Sequence, residues 1–226
     1  MAAGNGWKGQ GPAVKMGIFL GCVGWMAMGP GAEAADRVVY RETFDGWRNP
    51  AQCLRIAQGV ERWEVVREKE GAFLRIHARP TAARPEFLVV WDLAPLQFRR
   101  LKVEIRPEGI GADAGLQVVA NLEDRAGLAL AGRPWAAGPE GKAGGGLIPG
   151  EWNPVSWGLP EDLVGASRGG KALLAPTGKP LGPDPDFANL GIRAIYFNFR
   201  LPANSPWLGT AFTVDLRDLT LTETTP

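Results

Sequence analysis

Residues 192–201, IRAIYFNFRL, place a phenol, an amide and a guanidinium two positions apart, at Tyr196, Asn198 and Arg200. Ile195, Phe197, Phe199 and Leu201 alternate with them. A strand sends successive side chains to opposite faces, so this spacing predicts one apolar face in a core and one face of planar polar groups. Such groups exchange hydrogen bonds with sugar hydroxyls, and a tyrosine ring stacks on a sugar ring. Residues 72–78, AFLRIHA, repeat the arrangement, with Leu74 and Ile76 inward and Arg75 and His77 on the other face. The two polar faces are expected to adjoin as a shallow groove. Trp135, Trp207 and Trp47 lie in Gly/Pro-rich loops, where an aromatic face is free to stack on a ligand. A hydrated outer sheet face has the same parity, and that reading stays open.

Other chemistries find less support. Glycoside hydrolysis needs two carboxylates about 5–10 Å apart across a cleft. Asp92 and Glu104 sit on polar strand faces, but spacing does not bring them together. A lyase would want a base such as His77 or Tyr196 beside Arg200 and Asn198. Residues 165–172, GASRGGKA, nearly spell a phosphate-binding loop, yet Ala172 stands where a hydroxyl must hold magnesium. A Cys/His zinc site lacks ligands, since His77 is the only histidine and Cys53 the only cysteine beyond Cys22. Cys53 reads as a small buried apolar residue.

The N-terminus reads as a targeting segment. Lys8 and Lys15 precede the apolar run MGIFLGCVGWMAM, which is of signal-peptide length, and Ala32-Glu33-Ala34 offers small residues for a peptidase. Residues 1–34 are expected to be a signal peptide and 35–226 a single domain, secreted or periplasmic, with no transmembrane segment after removal. A retained anchor, or a lipid on Cys22 in Leu20-Gly21-Cys22, is the alternative. The 226-residue chain has 25 Lys+Arg and 24 Asp+Glu; cleavage leaves 23 of each, because Lys8, Lys15 and Glu33 depart. With no basic run and no net charge, a nucleic-acid partner is disfavoured.

The elements that must position the polar residues are mostly short strands. Residues 37–44, 63–67, 72–78, 86–93, 100–106, 115–122, 127–131, 151–159, 192–201 and 211–221 alternate or run apolar between turn signals. Residues 51–58 (AQCLRIAQ) read as a helical turn ended by Gly59, and residues 132–150 and 165–187 as long loops. With 31 glycines, 19 prolines and no long helix, the chain is expected to be all-β, an antiparallel sandwich.

The order of these signals resembles a known family. An aromatic-bearing first strand is followed by W-E-V-V, a glycine and an L-R-I strand. Pro149-Gly150-Glu151-Trp152 then leads into a strand. Phe187-Ala188-Asn189-Leu190-Gly191-Ile192 opens the penultimate strand, and LRDLTL closes the chain. This is similar to the galactose-binding-like jelly roll of carbohydrate-binding modules. The resemblance implies a jelly-roll β-sandwich whose partner is a polysaccharide or other glycan, bound without cleavage. A glycan-active lyase or hydrolase on the same scaffold, or an envelope contact module, are the rival functions. The resemblance also implies a structural calcium between first and last strands, for which Glu42, Asp45 and Asp215 are the oxygen donors at hand. Arg217 departs from the family's acidic pattern, and its pairing with Glu42 would stand in for the metal. Mass spectrometry of the exported protein is expected to find Ala35 as its first residue; retention of residues 1–34 would contradict the signal-peptide reading.

Overall fold

The computed structural model describes residues 36–46, 54–56, 59–135, 147–168, 171–172 and 191–224. Residues 1–34, expected to be a signal peptide, lie outside these, as do Trp47, Cys53 and residues 173–187. Among the described residues thirteen strands follow one another: β1 (Asp36–Glu42), β2 (Leu54–Ile56), β3 (Val60–Glu68), β4 (Gly71–Ala78), β5 (Glu86–Leu96), β6 (Arg100–Glu108), β7 (Gln117–Asp124), β8 (Leu128–Gly132), β9 (Asn153–Gly158), β10 (Leu163–Arg168), β11 (Lys171–Ala172), β12 (Ile192–Arg200) and β13 (Phe212–Thr224). The expected helical turn near residue 54 is instead β2, whose Leu54 is buried and whose backbone pairs with β5. Hydrogen bonding to a sheet edge outweighs the weak local preference there.

Two antiparallel sheets pack face to face as a jelly-roll β-sandwich. Sheet A has the order β3-β4-β13-β6-β9, with β1 also on β13; sheet B has the order β11-β10-β8-β7-β12-β5-β2. The alternation of β12 places Ile195, Phe197, Phe199 and Leu201 in the core at 0–1% exposure. Its neighbours β5 and β7 are in register along nearly its whole length, with Phe199 opposite Phe87 and Val118. Phe87 and Phe199 stack with centroids 4.8 Å apart, and Trp157 lies 6.4 Å from Phe197. Each such ring removes enough apolar surface from water to contribute roughly 1.5–3 kcal/mol.

Strand β13 has a harder task, because it changes partner midway. Phe212–Leu216 pairs with β4, and residues 219–224 pair with β1, while β6 follows the other edge throughout. At the changeover Arg217 faces Glu104 but Thr220 faces Lys102, so one extra residue is inserted. Asp218 takes the left-handed conformation, φ +51°. The inserted residue resets the parity: Val214 and Leu216 point inward before it, Leu219 and Leu221 after it, all at 0–1% exposure. Without the bulge, Leu219 and Leu221 would face water.

Candidate ligand face

Tyr196, Asn198 and Arg200 share the outward face of sheet B. Cross-strand register adds Asn121, Val119 and Gln117 from β7 and Val90, Leu88 and Glu86 from β5. The face is graded. Ala194 and Val90 point outward yet are buried, Tyr196 and Asn198 are half-buried, and Arg200 and Gln117 are exposed. Glu123 anchors the closed end: its carboxylate accepts from the Tyr196 hydroxyl and from the Arg193 guanidinium. Glu123 carries the same parity on β7 as Asn121 and Gln117. Its role is missed from sequence because nothing local says that β7 lies beside β12.

At the open end the bonding is looser. Asn198 Nδ2 donates to Glu86 Oε2 over 3.4 Å, while its buried Oδ1 has no hydrogen-bond partner. A buried acceptor without a donor costs about 1–3 kcal/mol. Asn121 Oδ1 accepts from the Gly132 amide at 3.1 Å and ties β8 to the sheet.

Arg75 and His77 lie elsewhere. They are outward residues of β4, and β4 belongs to sheet A. They therefore occupy the opposite outer surface, with the two packed sheets, spaced roughly 10 Å apart, between them and Tyr196. The expected common groove does not form. Parity reports that a residue points outward, but not from which sheet. Asp92 on β5 and Glu104 on β6 are separated for the same reason.

On that second face, side chains neutralise one another. Asp215 has no solvent exposure, although it points away from the core between Arg75 and Arg106 in register. Arg75 donates to its two oxygens at 2.8 Å each, and Arg106 donates to Oδ2 at 2.9 and 3.2 Å. The hydrogen bonds to Asp215 raise the Arg75 pKa, so its charge is held more firmly than usual. Both guanidinium groups lie over the ring of Phe73, at 5.2 and 5.1 Å, and Arg106 and Arg217 lie over Trp152 at 4.5 and 4.1 Å. His77 bonds Glu64 at 2.9 Å, and that hydrogen bond is the first cause of a Glu64 pKa below the ordinary carboxylate value.

The two described loop tryptophans, Trp135 and Trp207, are half-buried. The Trp207 indole donates to Asp113 Oδ1 at 2.9 Å, and its ring lies against Gly111, where an added Cβ would come within 2.9 Å of it. Trp135 donates its backbone amide to Val118 at 2.9 Å, and both side chains rest partly against the core.

The donors considered for calcium do not converge. Glu42 Oε1 accepts from the Phe44 amide at 2.8 Å, Asp45 Oδ1 from the Ala72 amide at 3.1 Å, and Asp215 is enclosed by arginines. Glu42 stands opposite Leu219, four residues along β13 from Asp215, or roughly 13 Å at strand rise. Arg217 does not reach Glu42 either. It precedes the bulge and pairs with Glu104, whereas Glu42 lies beyond the bulge. Among the described residues no group of three His, Cys, Asp or Glu is placed to hold a metal. These residues do not fit the ion. Among the described residues, too, no helix is long and apolar enough to cross a membrane.

No protein-family model matches the chain, and no curated protein matches it. Solved structures similar to it include jelly-roll carbohydrate-binding modules and also enzymes, among them an exo-β-agarase. One is the family 11 module from Clostridium thermocellum in complex with a β-1,3-1,4-mixed-linked tetrasaccharide: TM-score 0.48, 12% identity, 81% of this chain and 96% of that one. Another is the Caldicellulosiruptor saccharolyticus CBM27-1 in complex with mannohexaose: 0.43, 11%, 81% and 97%. A third is the C. thermocellum xylanase 10B CBM22-1–GH10 pair: 0.40, 12%, 85% of this chain and 28% of that one. At these identities the likeness is one of fold.

Breaking the Asp215 cluster isolates its prediction. Asp215→Asn keeps the shape but takes the buried carboxylate from two guanidinium groups, leaving Arg106 the more exposed Glu108 at 3.3 Å and Glu68 at 3.8 Å. Removing one partner of a buried ion pair typically costs about 3–5 kcal/mol. Urea denaturation is expected to show a loss of that order, and a loss below about 1 kcal/mol would contradict the assigned role.

Proposed function

We propose that this chain is an exported, non-catalytic carbohydrate-binding module, and that the glycan lies on the outward face of sheet B. One observation carries the reading: at the open end of that face, exposed Arg200 stands beside Asn198, whose buried amide oxygen lacks a donor and would meet a ligand once the side chain turns outward. A sugar hydroxyl entering there would donate to Asn198 Oδ1, while Arg200 donates to a neighbouring oxygen. Leu88 and Val119 flank Asn198 in register and offer apolar surface to the C–H face of a ring.

Binding without cleavage is part of the proposal. Two carboxylates of this face, Glu86 and Glu123, are hydrogen-bonded to Asn198 and Tyr196. Holding and orienting the face is what that arrangement serves. Arg75, His77, Trp135 and Trp207 become secondary candidates, since the first two lie on the other outer surface and the last two pack against the core.

A glycan array that includes mixed-linked β-glucan, mannan and xylan oligosaccharides should yield a ligand. Calorimetry with that ligand should then show Arg200→Ala weakening binding about ten- to a hundredfold, the effect of losing a hydrogen bond of roughly 1.5–3 kcal/mol to a charged group, and Asn198→Ala weakening it roughly two- to tenfold, that of a neutral one of about 0.5–1.5 kcal/mol. Thermal stability should hardly move. An empty array, or unchanged affinity in both variants, would overturn the proposal.

A further inference from the structure

Between the first and last strands lies a cleft of about 420 Å³, lined by Arg41, Thr43, Asp45, Glu70, Arg217 and Asp218, among others. The chain bends sharply around it. Phe44 and Asp218 are the non-glycine residues with positive φ among those described, at +65° and +51°; one lies between lining residues and the other lines the cleft itself. Left-handed backbone at a bulky residue is strained, and such strain persists where the surroundings fix it. Here the surroundings are polar pairings. Asp218 Oδ1 accepts from Arg41 Nη2 at 2.8 Å, Arg217 pairs with Glu104 and lies on Trp152, and Asp45 caps the Ala72 amide.

We infer that arginine takes the place of a divalent cation at this seam, with Arg41 from β1 closing on Asp218 of β13 at the bulge and Arg217 filling the space beside it. The two guanidinium groups of the cleft offset all but one of the charges of Asp45, Glu70 and Asp218, so little net charge is left to attract a divalent ion. They also engage two nearby carboxylates, Asp218 and Glu104. The bridging function of a calcium, tying the first strand to the last, passes to N–H donors. The pair is half-exposed, with the Arg41 side chain 59% and Asp218 40% accessible, so its own contribution is modest and its main effect is to exclude the ion. The folded domain therefore needs no calcium. This inference concerns the fold and stands whether or not a glycan binds.

The test is thermal unfolding of the purified protein in calcium chloride and in EDTA, followed by near-ultraviolet circular dichroism. An ion bound at a hundred times its Kd would raise Tm by roughly 5–10 °C in a domain of this size. The expected result is coincident curves, and a calcium-dependent rise of several degrees would overturn the inference. A double-mutant cycle tests the pairing. Asp218→Asn preserves the left-handed backbone, which asparagine tolerates. Arg41→Ala and Asp218→Asn should each lower Tm by about 1–4 °C, and the double variant by no more than the larger single loss. Additive losses would show that the two residues act separately and would contradict the assigned pair.

Discussion

Asp215 is a carboxylate without solvent exposure on the outer side of a sheet, and two arginines from the flanking strands enclose it. Its burial depends on register. Only with β13 paired to both β4 and β6 does Asp215 stand between Arg75 and Arg106. A slip of one residue would turn Asp215 into the core and Leu216 into water, both unfavourable by several kcal/mol. The ion cluster thus selects the register that the apolar residues also require. The aromatic rings of Phe73 and Trp152 then shield it from water, which strengthens each charged contact.

From that register the rest follows. β13 must serve β4 and β1 in turn, so it carries a bulge, and the bulge brings Arg41 and Asp218 together. Sheet A is in this way cross-linked on its outer surface by mutually satisfied charges. Sheet B is organised differently: its outward carboxylates hold polar side chains in place and leave Asn198 Oδ1 unpaired at one end. The two outer surfaces differ in what remains available to a ligand, and on that difference rests the proposal of sheet B as the binding face.

The alternation of residues 192–201 was legible, down to which side chains are buried, because period two is a local property. The sandwich was legible from strand count and turn spacing. Sheet membership was not. AFLRIHA and IRAIYFNFRL look alike, with apolar and planar polar residues in alternation, but the neighbours of each strand lie up to 140 positions away, as Arg75 and Asp215 do. The same limit hid Glu123, whose partner Tyr196 is 73 residues distant. Trp207 read as a free loop aromatic, since its acceptor Asp113 belongs to another loop. Arg217 was recognised as a departure from the family, and its partner was misassigned because a bulge at a non-glycine residue has no reliable sequence signal.

The account's central claim is that the two outer faces have divided roles, one open to a glycan and one closed upon itself. Backbone amide NMR during titration with the strongest array ligand tests this most directly. Shift changes should concentrate in β5, β7 and β12, around Leu88, Val119 and Asn198, and leave β4, β6 and the first half of β13 unmoved. Changes centred on Arg75, Arg106 and Asp215 would contradict it.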